Sequence, residues 1–363
     1  MSTSIPPVVT IIDVPTSHSS PLGRILRSSS PPLQPFPQPV SKRAQEPDET
    51  HLRLLPRLRA ALASLPPSST FHAPRRVSTP PPHELDFHTN LSFLSPPLST
   101  SACAIHLDSV ATVLDDVSDI YLVPVVNPHG VWTTLTLRHP APAKTFHVPP
   151  RSSFYVGPVE RSSLPSLLGP RELVVLDPPW PNRSARRAKR YRTADRFDIV
   201  ELLLGLQLQH VLVDGGLAAV WITNKPAVRR WLRRVLDAWG CREVAEWVWI
   251  KVTASGEPVV ALDGETAGAR RPYEVLVVAR KGGATGGTTI PDRVLVGVPD
   301  LHSRKPCVKA LLEEALPPRY RAAEVFGRAL TEGWYTVGDE AIRWNWAGHW
   351  DERGESGGVA APG

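Results

Sequence analysis

Cysteine is scarce in this chain, and its placement excludes two kinds of site. The three cysteines, Cys103, Cys241 and Cys307, are far apart and form no CxxC pair. No Cys/His cluster has the spacing of zinc ligands, and the number of cysteines is odd. We therefore expect neither a metal site nor a disulfide framework. A reducing compartment fits this pattern.

Long hydrophobic runs are also missing. No stretch approaches 18 consecutive apolar residues, so no membrane span is expected. The first residues include Pro6 and Pro7 and lack a basic segment before a long apolar stretch, which argues against a signal peptide. The formal net charge of +6 suits a polyanionic partner but does not identify one, because many soluble proteins are as basic.

Proline, by contrast, is abundant. Of the 40 prolines, 19 lie in the first 100 residues, and Pro/Ser-rich segments bury too little apolar surface to fold alone. We therefore predict that residues 1–50 are disordered, and likewise the Gly- and Ala-rich residues 347–363. Residues 51–150 are predicted to form a partly β accessory domain. It would contain a helix at 56–65 and a hairpin of strands 120–126 and 131–137.

After residue 151 strand and helix patterns alternate. Such alternation predicts an α/β fold with a mostly parallel sheet and helices on both faces. The predicted strands are 173–176, 218–223, 244–252, 274–279, 294–298, 324–326 and 334–337, and the predicted helices are 197–212, 227–239 and 305–316.

The most informative segment is Asp177-Pro178-Pro179-Trp180. It follows an apolar run and precedes a basic loop, so we predict that it lies at the carboxyl edge of the sheet, where open α/β sheets bind ligands. The Asp177 carboxylate and the Pro178 carbonyl can both accept hydrogen bonds from a planar exocyclic NH2 group. The prolines fix the backbone, and the Trp180 indole offers a stacking face. A plain turn with a packed Trp is the alternative.

Three further segments follow this one along the chain. The four segments are 177–184 with Arg190 and Tyr191, 221–225, 245–257 with 272–274, and 302–306 with 324–328, Gly333 and Trp334. Together, and in this order, they make the chain resemble the MT-A70 family of S-adenosylmethionine-dependent adenine methyltransferases, most of all the methyltransferase-like protein 4 branch, over residues 145–346. The resemblance implies a permuted Rossmann-like sheet, with residues 151–346 as the methyltransferase domain.

The resemblance also implies roles for individual residues. Asp177, Pro178, Pro179 and Trp180 would form the catalytic segment, and the helix N-cap is the structural alternative for Asp177. The cofactor candidates are Lys305, Glu324, Phe326, Arg328 and Asp339, with backbone groups of Gly157 and Val159. Two departures from the family pattern are Asp339-Glu340, where Asn-Glu or Asn-Gln is usual, and Pro158, where an aspartate is usual.

The loop after the catalytic segment is rich in cations, which directly beside a base-binding site predicts phosphate contacts. A solvated face is the alternative for such a run. Glu246, Lys251 and Glu274 are predicted to form a polar lining of the same mouth. Tyr191 and Asn224 have structural alternatives, as a loop aromatic and a core cap. The predicted substrate-binding residues are Asn182, Arg187, Arg190, Tyr191, Asn224 and Lys251.

These features predict a metal-independent N(6)-adenine methyltransferase that uses S-adenosylmethionine and acts on nucleic acid. The resemblance implies RNA, specifically adenosine or 2′-O-methyladenosine in small nuclear RNA, and a nuclear location. DNA is the alternative substrate. A non-catalytic RNA-binding subunit would be expected to lose Asp177 or Trp180, and both are present. A protein glutamine methyltransferase would carry Asn-Pro-Pro-Tyr instead.

Overall fold

The computed structural model describes residues 7–21, 23–37, 48–67, 69–75, 77, 103–139, 141–181, 196–263, 270–283 and 288–352. The strands are β1 Val8–Ile11, β2 Arg24–Leu26, β3 Ile105–His106, β4 Ala111–Asp116, β5 Pro124–Val126, β6 Thr133–His139, β7 Lys144–Val148, β8 Ser153–Val156, β9 Arg171–Leu176, β10 Leu212–Ile222, β11 Cys241–Lys251, β12 Tyr273–Lys281, β13 Arg293–Gly297, β14 Ala322–Val325, β15 Trp334–Gly338 and β16 Trp350–Glu352. The α-helices are α1 Val14–Ser17, α2 Glu49–Ala63, α3 Leu164–Leu168, α4 Arg196–Gly205, α5 Pro226–Ala238 and α6 Lys309–Glu313.

Eleven strands form one sheet in the order β1-β13-β11-β12-β10-β9-β14-β15-β8-β5-β3. Strand β12 runs antiparallel to both of its neighbours and β5 runs antiparallel to β8, whereas the other neighbouring pairs are parallel. The central strands are apolar along their whole length, as expected when both faces of a parallel sheet are covered. The predicted α/β fold with a mostly parallel sheet is confirmed.

The two faces of the sheet form separate apolar cores. In β9, Val174 and Leu176 face one core, which also receives side chains from α2, α3, α4 and α5. Leu173 and Val175 face the other core, where α1 and α6 contribute Val14 and Leu312. This division follows from the two-residue period of a strand. The helices therefore cover both faces, as the sequence predicts.

The order of the strands determines where ligand-binding groups can meet. Strands β9 and β14 are parallel neighbours, with Leu176 opposite Val325. Their carboxyl ends therefore leave the sheet side by side, and the Asp177 N–H donates to the Val325 carbonyl at 3.3 Å. Strand β10 lies on the other side of β9. The crevice predicted between the two strand ends is present.

The predicted hairpin in the accessory region is wrong. Strand β5 pairs with β3 and β8 in the large sheet, whereas β6 pairs with β4 and β7 in a separate three-stranded sheet. The buried side chain of Asn127 holds the connection between the two strands. Its Nδ2 donates to the carbonyls of Val131, Val148 and Pro149 at 3.0, 3.3 and 2.8 Å, and its Oδ1 accepts from the His129 N–H at 3.0 Å. The turn therefore packs against the end of β7, while β5 and β6 find their partners in different sheets.

Three helix boundaries also differ from the predictions. Helix α2 starts at Glu49, where the Asp48 side chain caps it, and Pro56 lies inside it rather than in its first turn. Helix α4 ends at Gly205 rather than continuing to residue 212, and Gln207 has a φ of 53°. Residues 305–308 precede α6 as a loop, because a residue before proline, here Lys305, disfavours the helical region.

The described N-terminal residues are ordered, in contrast to the predicted disorder of residues 1–50. The β-branched run at 8–11 forms β1, which extends the sheet beside β13. In the predicted tail, β16 pairs with β2. Helix α2 packs into the same core as α4 and α5, and β3 and β5 join the main sheet. The described residues thus show continuous packing across residue 150.

Glu246 is not at the mouth of the crevice, contrary to the prediction. It lies in β11 five residues before Lys251, about 17 Å away along the strand. The carboxyl is 4% exposed and pairs with Arg53, Arg57 and Arg229. Burial alone would raise its pKa, but the hydrogen bond from Arg53 and the three positive charges hold that pKa below its usual value.

We expect the substitution Glu246→Ala to lower the free energy of unfolding by about 2–3 kcal/mol. Removing one partner of a buried ion pair costs about 3–5 kcal/mol, and the partial exposure of the arginines reduces this cost. Urea denaturation measures the difference. Asp263→Ala is the matched control, because Asp263 and its partner Arg59 are 78% and 60% exposed, and such pairs contribute about 0–1 kcal/mol. Equal losses in both variants would contradict the prediction.

Candidate active site

A cleft opens at the carboxyl ends of β9, β10 and β14. It holds about 540 Å³ of empty space that is continuous with solvent. Five of the residues predicted for catalysis or cofactor binding line it together: Asp177, Lys305, Glu324, Phe326 and Arg328. The structure therefore brings together residues that are separated by up to 151 positions in the chain.

An alternating row of charges starts at the cleft, which its first two members, Asp177 and Lys305, line. The Lys305 ammonium donates to both carboxylate oxygens of Asp177, at 2.9 and 2.8 Å. It also lies 3.2 Å from Glu274 Oε2, and Glu274 in turn accepts from Lys251. The row reads Asp177, Lys305, Glu274, Lys251, and each side chain is 20–26% exposed.

The neighbouring charges in the row shift the pKa values of Lys305 and Glu274. Burial alone would lower the pKa of Lys305, but the carboxylates of Asp177 and Glu274 raise it above its usual value. Burial alone would raise the pKa of Glu274, but Lys305 and then Lys251 lower it to about 2. The Lys305 ammonium also lies 5.8 Å from the ring centroid of Trp221, within the range of a cation–π contact. Lys305 and Glu274 are therefore charged at neutral pH.

The catalytic segment is held by one internal hydrogen bond and by one hydrogen bond to β10. The Trp180 N–H donates to the Pro178 carbonyl at 2.7 Å, and the second lone pair of that oxygen is left for another donor. The Trp180 indole is 6% exposed, and its Nε1–H donates to the Trp221 carbonyl at 2.7 Å. This placement supports a packing role for Trp180 and not the predicted stacking on a base.

The turn after β14 brings Glu324 and Phe326 to the cleft. Phe326 has a φ of 63°, a left-handed conformation that costs a non-glycine residue about 1–3 kcal/mol and is concentrated at functional sites. The next residue must be glycine, because a Cβ on Gly327 would lie 2.5 Å from Thr336 Cγ2. Burial, followed by the charge of Asp177, raises the pKa of Glu324 to about 8.

Arg328 pairs with a residue that the sequence analysis did not select. Its Nε donates to Glu340 Oε2 at 2.6 Å, and Glu340 is 4% exposed. Asp339 is exposed and does not line the cleft. Gly157 and Val159 follow β8, two strands from β14, and the Gly157 N–H donates to the Gly338 carbonyl at 3.3 Å. These two residues share the carboxyl edge but do not line the cleft.

Asn224 and Lys251, both predicted to bind substrate, lie at the ends of β10 and β11. Asn224 Nδ2 donates to the Tyr273 carbonyl at 2.6 Å, which supports the core-capping alternative. Its buried Oδ1 has no hydrogen-bond partner within the described part of the chain. Lys251 belongs to the charge row and lies 4.8 Å from the Trp249 ring centroid. Asn182, Arg187, Arg190 and Tyr191 lie outside the described residues.

His18 is a cleft residue that the sequence analysis missed. Its Nε2 donates to the Lys305 carbonyl at 2.8 Å, and the ring lines the cleft. Burial, followed by the charge of Arg304, lowers the pKa of His18 to about 4, so the ring is neutral at neutral pH. The run Val8–Ile12 could have indicated that the segment before His18 is ordered, because consecutive β-branched residues favour a strand even in a proline-rich segment.

The comparison with known proteins agrees with this geometry. The MT-A70 family model matches residues 171–340, which run from the start of β9 to Glu340. An N6-methyladenosine RNA methyltransferase of Cryphonectria parasitica is 39% identical over 287 residues, 77% of this chain and 82% of that protein. This chain belongs to the MT-A70 family. The predicted family is therefore confirmed.

More distant members of the MT-A70 family carry related names. The human N(6)-adenine-specific methyltransferase METTL4 is 30% identical over 62% of this chain and 48% of its own length. A DNA N6-methyl methyltransferase of Caenorhabditis elegans is 31% identical over 54% of this chain and 53% of its own length. The chain thus spans about half the length of these two relatives. The names of these three relatives refer to N6 methylation of adenine, with RNA named for the fungal protein and DNA for the nematode protein.

The described residues form neither a metal-binding cluster nor a membrane-spanning helix. Within those ranges, no group of three or more His, Cys, Asp or Glu side chains could hold a metal ion. No helix among them is both long and apolar enough to cross a membrane.

The raised pKa of Glu324 predicts a pH-dependent effect of the substitution Glu324→Gln. The unfolded chain loses this proton near pH 4.5, whereas the folded chain retains it to about pH 8. The wild-type protein therefore loses stability as the pH rises from 4.5 to 8. Glutamine cannot ionise, so we expect the stability of the variant relative to wild type to increase over this interval and then level off. Urea denaturation at several pH values measures it.

The matched control for this titration is Glu332→Gln at an exposed position. We expect it to remain within about 0.5 kcal/mol of wild type, as surface substitutions usually do. A stability difference between Glu324→Gln and wild type that does not change from pH 4.5 to pH 8 would overturn the assignment of a raised pKa.

Proposed function

We propose that this protein transfers a methyl group from S-adenosylmethionine to the N(6) amine of adenine in nucleic acid, with RNA as the favoured polymer. One observation carries the proposal. The carboxylate of Asp177 is held by Lys305 in an open cleft, beside the Pro178 carbonyl and at the edge of the sheet where ligands bind. These two oxygens are the acceptors that an exocyclic amine requires.

The chemistry follows from the properties of the adenine amine. Its lone pair is delocalised into the ring, so the nitrogen is a weak nucleophile. A carboxylate and a carbonyl that accept its two hydrogens favour a pyramidal nitrogen and aim the lone pair at the electrophilic methyl group that the cofactor supplies. Lys305 keeps the Asp177 carboxylate in one orientation, because both oxygens accept from the same ammonium. The amine proton then leaves to solvent or to a neighbouring acceptor.

The cleft residues fit S-adenosylmethionine. The carboxyl group of Glu324 lines the cleft and makes no hydrogen bond with the described residues, which suits contact with a ligand cation. The family resemblance assigns the methionine carboxylate to a cation such as Lys305, whose ammonium already meets the carboxylates of Asp177 and Glu274. It assigns the ribose hydroxyls to Asp339, as acidic residues hold them in other nucleotide-binding sheets. Asp339 is exposed beside the cleft, whereas its neighbour Glu340 is 4% exposed and pairs with Arg328.

RNA is favoured over DNA by the extent of the match to a relative that is named as an RNA methyltransferase. The Cryphonectria parasitica protein named as an RNA methyltransferase matches 77% of this chain, whereas the Caenorhabditis elegans DNA methyltransferase matches 54%. Adenosine or 2′-O-methyladenosine of a small nuclear RNA, and a nuclear location, belong to the same proposal and rest on the family resemblance. A non-catalytic RNA-binding role is disfavoured, because the pair of Asp177 and Lys305 is intact.

Methyl transfer from labelled S-adenosylmethionine to single-stranded RNA and DNA of matched sequence tests the proposal. We expect N(6)-methyladenine after nuclease digestion and mass spectrometry, with more product from RNA. Equal or greater product from DNA would reverse the choice of polymer. No transfer to either polymer, together with no binding of the donor by calorimetry, would overturn the enzyme proposal and favour the RNA-binding role.

A further inference from the structure

An N-terminal strap, residues 12–21 and 23–29, lies against the loop 298–307 that carries Lys305. The Ser17 hydroxyl accepts from the Cys307 N–H at 2.9 Å, and the Ser29 N–H donates to Asp300 Oδ1 at 2.8 Å. The buried Arg304 side chain donates to the carbonyl of Arg27 at 2.7 Å. The strap therefore contacts this loop at several separate points along its length.

The strap is fixed independently of the loop. On its N-terminal side, the Ile12 N–H donates to the Val296 carbonyl at 2.9 Å, directly after β1 has paired with β13. On its C-terminal side, β2 pairs with β16, and Arg27 pairs with Asp351 at 2.6 Å. Both ends of the strap are therefore anchored in regular structure, which is what a rigid support requires.

His18 is the strap residue that is nearest to the chemistry. Its ring stands between two cavities, because it lines the main cleft and also a smaller cavity formed with Leu26, Trp344 and Trp350. Its Nε2–H donates to the main-chain carbonyl of Lys305. The same residue's ammonium group holds the carboxylate of Asp177. A single hydrogen bond, from His18 to the Lys305 carbonyl, thus links His18 to the charge row.

We infer that His18 is a positioning residue, which fixes the main chain of Lys305 and through its side chain the orientation of the Asp177 carboxylate. Pro306 restricts the backbone on one side of Lys305, and Ser303, two residues before it, has a φ of 69°. A loop with such an irregular backbone requires external hydrogen bonds to remain in one conformation. Small displacements of a reacting group are costly, because catalysis depends on accurate alignment.

The test compares substitutions at His18 with a matched histidine. His18→Ala removes the donor, and His18→Gln retains an N–H donor of similar reach. His129→Ala is the control, because His129 Nε2 also lies 2.9 Å from a main-chain carbonyl, that of Leu107, outside the cleft. Two measurements are made: amide hydrogen exchange of residues 303–308, and the kcat and KM of methyl transfer.

We expect His18→Ala to accelerate exchange in residues 303–308 and to lower kcat about two- to tenfold, the effect of losing one net hydrogen bond. His18→Gln should restore most of both, and His129→Ala should change neither. In a Lys305→Ala background, His18→Ala should lower kcat less than twofold further, because a residue that acts through Lys305 has no additional effect once that side chain is gone.

Two results would overturn the inference. One is that His18→Ala and His129→Ala behave alike in both measurements. The other is that His18→Ala retains its full effect on kcat when Lys305 is already alanine, which would mean a merely structural role. The kinetic part rests on the proposed methyl transfer. If wild type transfers no methyl group, that proposal fails, and the exchange comparison of His18→Ala, His18→Gln and His129→Ala still decides the inference.

Discussion

The substitution Asp177→Ala is expected to lower the single-turnover rate of methyl transfer about 100-fold or more at saturating donor. A charge-assisted hydrogen bond contributes about 1.5–3 kcal/mol, which corresponds to roughly ten- to hundredfold in rate. The variant also loses the alignment of the amine, so the expected effect lies at the upper end of this range. Asp177→Asn retains one acceptor oxygen without the charge and should give an intermediate rate.

Loss of folding does not explain this expected result. Without Asp177, the Lys305 ammonium still lies 3.2 Å from Glu274, so no buried cation is left without a partner. The Asp177 side chain is 21% exposed, and its removal should change the free energy of unfolding by about 1 kcal/mol or less. Asp263→Ala, at an exposed position far along the chain, should leave the rate unchanged. An Asp177→Ala rate within threefold of wild type would contradict the assigned role.

The parts of the site that sequence reasoning located are those with local signals. An apolar strand followed by Asp-Pro-Pro-Trp places Asp177 at a sheet edge, and Glu324 follows the same logic at the end of β14. The pairing between Lys305 and Asp177 spans 128 residues and the contact between His18 and Lys305 spans 287. Contacts of this kind depend on the order of strands in the sheet, which local patterns do not contain.

The errors also have a physical cause. The predicted hairpin does not form because β5 pairs with β3 and β8 and β6 pairs with β4 and β7, and turn propensities do not include such tertiary pairings. For the first 50 residues, proline content predicts disorder, but β1 is stabilised by pairing with β13 and forms the edge of the large sheet. Trp180 has the residue type for stacking and yet points into the core, because its indole N–H finds the Trp221 carbonyl there. Composition alone does not distinguish these outcomes.

The substitution Lys305→Ala is expected to have an effect on activity comparable to that of Asp177→Ala, and a pH-dependent effect on stability as well. Lys305 donates to both carboxylate oxygens of Asp177 and pairs with Glu274, so its removal releases the carboxylate that aligns the amine. Because misplacing a reacting group by about 1 Å costs about 100-fold in rate, we expect kcat/KM for the methyl donor to fall about 100-fold. Steady-state kinetics with varied S-adenosylmethionine measures this change, and calorimetry separates donor binding from the transfer step.

The pH dependence of the free energy of unfolding shows whether Lys305 stabilises the protein through its charge in the charge row or only through packing. Glu274 has a folded-state pKa of about 2 against an ordinary value of 4.5, so its stabilisation is complete above pH 4.5 and is lost as the pH falls toward 2. The raised pKa of Lys305 adds stability that is complete below pH 10.5 and is lost as the pH rises beyond it. The stability difference between wild type and Lys305→Ala should therefore be largest between pH 4.5 and pH 10.5 and decrease on both sides.

The matched control is Lys309→Ala, because the Lys309 ammonium group lies 3.9 Å from Glu313. This substitution should leave kcat/KM unchanged. A difference from wild type that is constant from pH 3 to pH 11 would show that Lys305 does not hold the carboxylates through its charge.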